Sequence, residues 1–457
     1  MQAVICYSVL MLKDYLINQE PTMEKLRRLG FVFLCLLVFD LSCTGSGRII
    51  SLGWISPRIL LALLCMICAM PHILKQCRTL LKKPINIAFL VFVVYLLFQA
   101  VRGKIAGHPS WIWNSDVMGF AWLMLIPLFQ VLVRNKKEIK TLLGFIIAGA
   151  SLQAAVIVGF NLYFTLFDRA GVPAFWEQMV ETGWGTILAV EYNAIRVFCR
   201  SSMYMTVVSL VLMGRLLSAP RFSWKWAALL LLNLFGLFFT YTRSLYLAFF
   251  AALFLLIVFL VTQYPIKRII IRFLLVLLMF LSLGILSDIL LHQGSFQYAV
   301  ARCLHMDLQA KLHLPKTWDD TEVVNMEEIT EKTNDTRDNT LADLRERIKE
   351  SPIIGHGLGA SGSYRNTNDE YFYHDLIMRC GVIGLLLYFT PVAMVAIVFW
   401  QKKSRLGEGE ESLIYGIALI AFLIATYFNP WMNAAIGISW YALCVRSTEL
   451  FKEADNG

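Results

Sequence analysis

The sequence predicts an all-α, polytopic integral membrane protein with about 12 transmembrane helices and a large outer-face loop between helices 9 and 10. Three observations predict it. Apolar residues make up 58% of the 457 positions and charged residues only 16%, with a mean hydropathy of +0.62, whereas a soluble domain carries roughly 25% charge. Apolar blocks of about 18 to 25 residues recur along the chain, each long enough to cross roughly 30 Å of hydrocarbon at 1.5 Å per residue. Basic residues cluster in alternate connections between those blocks, as they do when Lys and Arg are retained on the cytoplasmic side.

The blocks fall at about 29–44, 57–74, 84–101, 116–133, 141–165, 197–214, 224–241, 245–262, 270–291, 376–400, 412–428 and 432–446. The first follows Lys25, Arg27 and Arg28 and reads as a retained signal anchor, because no small-residue cleavage site follows it. Basic connections recur at Lys75 to Lys83, Arg134 to Lys140, Arg215 to Lys225, Lys267 to Arg272, Lys402 to Arg405, and Arg446 with Lys452. The intervening connections are poorer in bases or carry acids such as Asp168, Glu177 and Glu181. Both termini are thereby expected in the cytoplasm. The resulting divisions are a cytoplasmic N-terminal segment, 1–28; helices 1–9, 29–291; a large, partly helical outer loop, 292–373; helices 10–12, 374–446; and a cytoplasmic tail, 447–457.

The net charge of +9 sits in these connections and forms no basic face with interleaved aromatics, so no nucleic acid is expected as a partner. Nor do the ten cysteines form a disulfide framework. Most lie in or beside apolar blocks, and Cys303 stands alone in the long loop. Cys65 and Cys68 read as helix packing.

A connection of about 80 residues, from His292 to Tyr373, is long enough to be functional. It begins acidic, through Asp319-Asp-Thr-Glu and Glu327-Glu. It becomes helical from Asn339 to Lys349, where Leu341, Leu344 and Ile348 make an apolar stripe. Ser351-Pro352 ends that helix, and Gly355-His-Gly-Leu-Gly-Ala-Ser-Gly follows as a flexible, turn-rich segment.

Candidate chemistry centres on cations and one histidine. Arg243 lies in Thr240-Tyr-Thr-Arg-Ser, at the tip of a tight hairpin between two apolar blocks. A cation there needs an anion or an aqueous cavity, and a lone arginine ordinarily snorkels to lipid phosphate. Arg337 precedes the loop helix, and Arg345 and Arg347 lie on it; guanidinium groups bind phosphate bidentately, although Asp338, Asp343 and Glu346 equally suit a solvated face. His374, in Glu370-Tyr-Phe-Tyr-His-Asp, stands where the loop re-enters the membrane and can act as a general base near neutral pH, tuned by Asp375.

Three segments in order, Thr240-Tyr-Thr-Arg243-Ser, then Thr336-Arg337 with a helix and Ser351-Pro-Ile-Ile-Gly-His-Gly-Leu-Gly, then Tyr373-His374-Asp with Gly381-Val-Ile-Gly384, resemble the O-antigen ligase and O-antigen polymerase superfamily of bacterial membrane glycosyltransferases. The layout resembles it too, with a dozen spans and a large late outer loop. The resemblance implies a bacterial cytoplasmic (inner) membrane protein with its site on the periplasmic face. The implied donor is a polyprenyl-diphosphate-linked glycan and the implied acceptor a glycan or lipid A-core. It further implies that Arg243 and Arg337 bind the diphosphate and that His374 activates the acceptor hydroxyl; Arg345 and Asp375 are candidate substrate-binding residues from their own positions on the loop helix and beside His374. Asp375 departs from the asparagine usual in the family at that position.

No metal or other cofactor is required by such chemistry, since arginines can stabilise the leaving diphosphate. Two other readings compete. Twelve spans also suit a flippase or transporter of lipid-linked glycan, although no internal repeat is visible. A metal-dependent polyprenyl-linked glycosyltransferase would use Asp40, an intramembrane acid, or Asp319-Asp320; His292, His305 and His313 lack a convincing zinc spacing.

Overall fold

The computed structural model describes residues 22–45, 56–190, 192–304, 326–362, 371–401 and 410–455. Their helices are α1 (Thr22–Cys43), α2 (Pro57–Leu80), α3 (Pro84–Ile105), α4 (Ser110–Ala121), α5 (Leu125–Leu132), α6 (Lys136–Leu166), α7 (Val172–Glu181), α8 (Ser202–Ser218), α9 (Trp224–Phe238), α10 (Arg243–Val261), α11 (Ile266–Leu291), α12 (Ser295–Leu304), α13 (Met326–Glu350), α14 (Phe372–Gln401), α15 (Glu410–Thr426) and α16 (Ala435–Asp455). Eleven of the twelve expected blocks fall on helices, and the block expected from 197 begins ahead of one. Among the described residues seven helices are long and apolar enough to cross a membrane, counting α4 to α5 as one, and α8, α9 and part of α15 are shorter apolar helices.

The chain folds as two compact units. The first holds Val32–Leu64 and Lys140–Glu328, the second Gln19–Phe31, Cys65–Ile139 and Ile329–Gly457.

In the first unit α8 is buried on almost every face, including Ser202, Thr206 and Ser209. By contrast, α11 keeps Leu278, Ile289 and Leu290 more than 60% exposed, as suits a helix bathed in hydrocarbon. This unit also holds a departure from the all-α expectation. Residues Gly185–Ala189 (β1) and Ile195–Cys199 (β2) pair antiparallel, with Ile187 opposite Val197. The block expected from 197 therefore begins as a strand: Ile195, Val197 and Cys199 are buried while Arg196 and Phe198 are only half-buried, a period of two. Tyr192 and Asn193 make the connecting turn at positive φ.

In the second unit the basic connections gather at one end. Arg27, only 3% exposed, donates to the Leu132 carbonyl at 2.6 Å and pairs with Glu138 at 3.1 Å. Arg134 pairs with Glu24 at 2.7 Å, Lys83 with Glu449 at 3.0 Å, and Arg446 Nε donates to the Val133 carbonyl at 2.6 Å. Connections that share a charge sign in the sequence thus share an end of the unit. Pro84 starts α3 at that end, supplying a preset φ where no N–H is needed. The 22-residue helix then carries Gln99 and Gly103 to the opposite end, roughly 30 Å away.

Candidate functional site

At that opposite end of the second unit, α13 and α14 meet. The helix read from Asn339 starts at Met326, so Arg337 lies within α13 and not ahead of it; its side chain is outside the described residues. The apolar stripe works as expected. Leu344 is fully buried against Met378 and Ala360, with Ile348 and Tyr371 packed around them. Docking this stripe leaves Arg345, on the next position, exposed and close enough to act electrostatically on His374.

His374 occupies the first turn of α14. Its ring lies 6.0 Å from that of Tyr371 and 5.9 Å from that of Tyr427, and its Nδ1 is buried with no hydrogen-bond partner among the described residues. The neighbouring Tyr373 is anchored by its hydroxyl to the Leu423 carbonyl at 2.7 Å.

Asp375 faces Arg379. Its Oδ2 lies 2.7 Å from Arg379 Nη1, one turn further along α14, and the same nitrogen meets Asp116 Oδ1 at 2.5 Å. Arg379 Nε also donates to the Ala360 carbonyl at 3.1 Å. All three side chains are buried, Asp116 completely. Sequence reasoning passed over Asp116 and Arg379; the signal was their charge inside apolar blocks, which is expensive without a partner.

The glycine-rich segment, expected to be flexible, is pinned along α14. The α14 backbone breaks at Gly381, where φ is +66°. His356 N donates to the Met378 carbonyl at 2.8 Å and Gly357 N to the Arg379 carbonyl at 2.9 Å. In return Val382 N donates to the Pro352 carbonyl at 2.9 Å, and the Tyr95 hydroxyl donates to the Cys380 carbonyl at 2.7 Å. Gly359 N then donates to Asp116 Oδ2 at 2.8 Å, and Leu358 N to the Gln99 carbonyl at 3.0 Å. Gly355, Gly357 and Gly359 all sit at positive φ, which a side chain would resist.

Arg243 belongs to the first unit, as the first residue of α10 after a turn of 239–242. Tyr241 in that turn is fully buried at φ +45°. Its Thr240 carbonyl accepts from Arg196 Nε and its Tyr241 carbonyl from Arg302 Nε, both at 3.1 Å. Arg196 and Arg302 are two cations the sequence reading did not assign.

Of the acids considered for a metal, Asp40 pairs with Arg58 at 2.9 Å and accepts from the Thr44 hydroxyl at 2.8 Å. Asp319, Asp320, His305 and His313 lie outside the described residues.

Residues 226–389 match the family model described as O-antigen ligase. This segment is similar to the O-antigen ligase family. It runs from α9 into α14 and contains Arg243, Arg302, Arg337, Arg345, His374, Asp375 and Arg379. The superfamily resemblance carried by the three motifs therefore holds over the stretch in which they lie. That similarity, together with the apolar helices, supports a membrane protein of polysaccharide biosynthesis. No curated protein matches the chain.

Proposed function

We propose that this protein transfers a glycan from a polyprenyl-diphosphate carrier to an acceptor hydroxyl, on the outer face of a bacterial cytoplasmic membrane. The acceptor is a second lipid-linked glycan, making a polymerase, or a lipid A-core, making a ligase. The observation that carries this reading is the placement of His374, in the first turn of α14 with its ring beside those of Tyr371 and Tyr427. A general base must offer a nitrogen lone pair to an incoming hydroxyl, and an imidazole ringed by Tyr371 and Tyr427 meets that need beside surfaces suited to sugar.

Breaking the anomeric carbon to oxygen bond leaves negative charge on the diphosphate. Arg243 and Arg337 are assigned to that charge, with Arg345 beside the substrate. Asp375 acts through its pairing with Arg379, holding the first turn of α14 and hence the direction of His374. A single displacement inverts the anomeric centre. Placement of the basic connections at one end of the second unit, and of His374 with the glycine segment at the other, favours the outer face.

Purified protein in detergent, given lipid-linked oligosaccharide and each acceptor with and without EDTA, tests the reading beside a folded His374→Ala variant. Transfer that survives chelation and disappears in the variant is expected. A ladder of products would mark a polymerase, a single addition a ligase. Activity that persists in His374→Ala removes the base; activity lost to EDTA would restore a metal mechanism. Movement of lipid-linked glycan across liposomes without new glycosidic bonds would make the protein a carrier.

A further inference from the structure

Helix α6 is longer than a membrane crossing requires. Its 31 residues rise about 46 Å, against roughly 30 Å of hydrocarbon. With the end that carries Lys136, Lys137 and Lys140 in the cytoplasm, Gly159 stands roughly 28–35 Å along the helix and Asp168 beyond its last turn. There α6 and α7 flank an open groove of about 840 Å³, made wholly by the first unit and within the roughly 300–1,000 Å³ of small-molecule sites.

Each helix gives the groove one face. Phe160, Tyr163 and Phe164 follow the i, i+3, i+4 spacing on α6, and Ala174 and Gln178 the i, i+4 spacing on α7. The aromatic wall is held by its own contacts. Phe175 meets Phe160 edge-on with centroids 5.0 Å apart and lies 5.3 Å from Phe164, Tyr163 meets Phe164 edge-on at 5.1 Å, and Trp184 backs Phe160 at 5.6 Å. Rings interlocked in this way lose little freedom when a ligand arrives. Asp168, Gln178 and the Tyr163 hydroxyl supply polar groups. Asp168 Oδ1 accepts from Gly171 N at 3.0 Å, and a carboxylate with two oxygens keeps capacity for further donors.

Gly159 has no reason in helix packing. Gly149, on the same helix, is needed because a Cβ there would strike Ser42, whereas a Cβ on Gly159 meets nothing within 4 Å. A glycine inside a helix weakens it, so its use here leaves the α6 backbone open to whatever enters the groove. We propose that this groove is a saccharide subsite, which stacks sugar units of a glycan substrate on Phe160 and Tyr163 and hydrogen-bonds their hydroxyls to Asp168 and Gln178. Flat ring faces suit the C–H faces of a pyranose, and carboxylate and amide groups suit its hydroxyls. The Asp168 carboxylate repels diphosphate and anionic headgroups, and an isoprenoid chain would leave both polar side chains without a use. That the ligand is a glycan rests on the transferase reading above.

The probe is the oligosaccharide of the lipid-linked donor, freed from its lipid diphosphate by mild acid and added to the full chain in lipid nanodiscs. Saturation-transfer NMR is expected to show saturable signals on the sugar C–H protons, with a Kd of roughly 1 mM, and no displacement by farnesol or inorganic pyrophosphate. Gly159→Leu, whose side chain extends into the groove, should abolish the saturable signal while melting no lower than the original, since leucine is the better helix former. Tyr163→Ala should weaken binding about fivefold, and His374→Ala should leave it intact. In glycan transfer, Gly159→Leu should raise the KM of the oligosaccharide substrate about fivefold or more with a smaller change in kcat.

Absence of a saturable signal in the unmutated protein, or an equal signal in Gly159→Leu, overturns the proposal. Should Gly159→Leu fail to fold, Ala174→Leu blocks the same groove from α7 and carries the same expectation. Displacement by farnesol assigns the groove to the isoprenoid chain and overturns the saccharide role. Transfer that His374→Ala abolishes but Gly159→Leu leaves at unchanged KM sinks this inference and keeps the transferase reading. Oligosaccharide binding that Gly159→Leu removes, in a protein that transfers no glycan, keeps the groove and removes the transferase.

Discussion

Arg379→Met tests the energetics of the second unit most directly. Arg379 is 2% exposed and neutralises Asp116, which is fully buried, and Asp375, which is 4% exposed. Removing the cation strands two carboxylates in a low-dielectric interior, and breaking a buried pair from one side costs about 3–5 kcal/mol. The Ala360 carbonyl also loses its Nε donor, worth roughly 1 kcal/mol. The sum, about 4–6 kcal/mol, is a large share of the roughly 5–15 kcal/mol that holds a typical fold. Thermal unfolding in detergent, read as the fraction surviving size-exclusion chromatography, should shift down by roughly 10–20 °C. The triple variant Asp116→Asn, Asp375→Asn, Arg379→Met removes all three charges together and should regain most of the loss. An Arg379→Met protein within about 2 °C of the original, or a triple variant less stable than Arg379→Met, would refute the ion-triad argument.

Three further outcomes follow from separate contacts. Gly381→Ala should cost about 2 kcal/mol or more, because an alanine at φ +66° is strained and its Cβ would collide with the Ile353 carbonyl; a melting curve indistinguishable from the original would contradict this. Leu344→Ala should lose about 2–5 kcal/mol of local packing and free α13, so hydrogen exchange should quicken over 339–349 while α14 amides stay protected; unchanged exchange there would show that the stripe does not dock the helix. Burial works to raise the Glu24 carboxyl, but Arg27, Arg134 and Arg28 outweigh it and hold the group below its ordinary 4.5. A depressed folded value means that Glu24 stabilises the fold above about pH 4.5 and loses that contribution as pH falls through the lower folded value. A Glu24→Gln variant should therefore be less stable than the original at pH 7, with the gap closing in acid; a gap independent of pH would remove the linkage.

Much of this was legible because it is local. Apolar blocks of spanning length became helices, the Thr240 to Arg243 turn sits between α9 and α10, and Leu344 and Ile348 turned inward as their spacing required. Ser351-Pro352 ended α13 as expected. The β1–β2 hairpin was hidden because Val197-Phe-Cys continues into the apolar α8, and a spanning-length window averages over the break at Arg200 to Ser202. The early start of α13 was missed because 326–338 carries no apolar stripe and is interrupted by Thr333, Asn334, Asp335 and Thr336, residues of low helix propensity. The Asp116–Arg379 pair joins positions far apart in sequence, so composition shows two expensive intramembrane charges without showing that each neutralises the other.

The glycine-rich segment shows why flexibility was the wrong inference from its composition. A helix broken inside a membrane leaves carbonyl and N–H groups that hydrocarbon cannot satisfy, and such breaks persist only where protein supplies the partners. At Gly381 the partners are the backbone of 352–357: His356 and Gly357 cap the Met378 and Arg379 carbonyls, and the Pro352 carbonyl takes Val382 N. Glycine is needed on both strands of this contact, since a Cβ on Gly355 would strike the Arg379 backbone and one on Gly381 the Ile353 backbone. The Gly355-His-Gly-Leu-Gly and Gly381-Val-Ile-Gly384 segments are therefore two halves of one backbone joint, although the sequence presents them as separate motifs. His374 stands on the helical turns just before that joint, and Asp375 and Arg379 tie those turns to Asp116 and Ala360. Substitutions in either glycine segment should consequently disturb the histidine through the same route, by loosening the joint that fixes the start of α14.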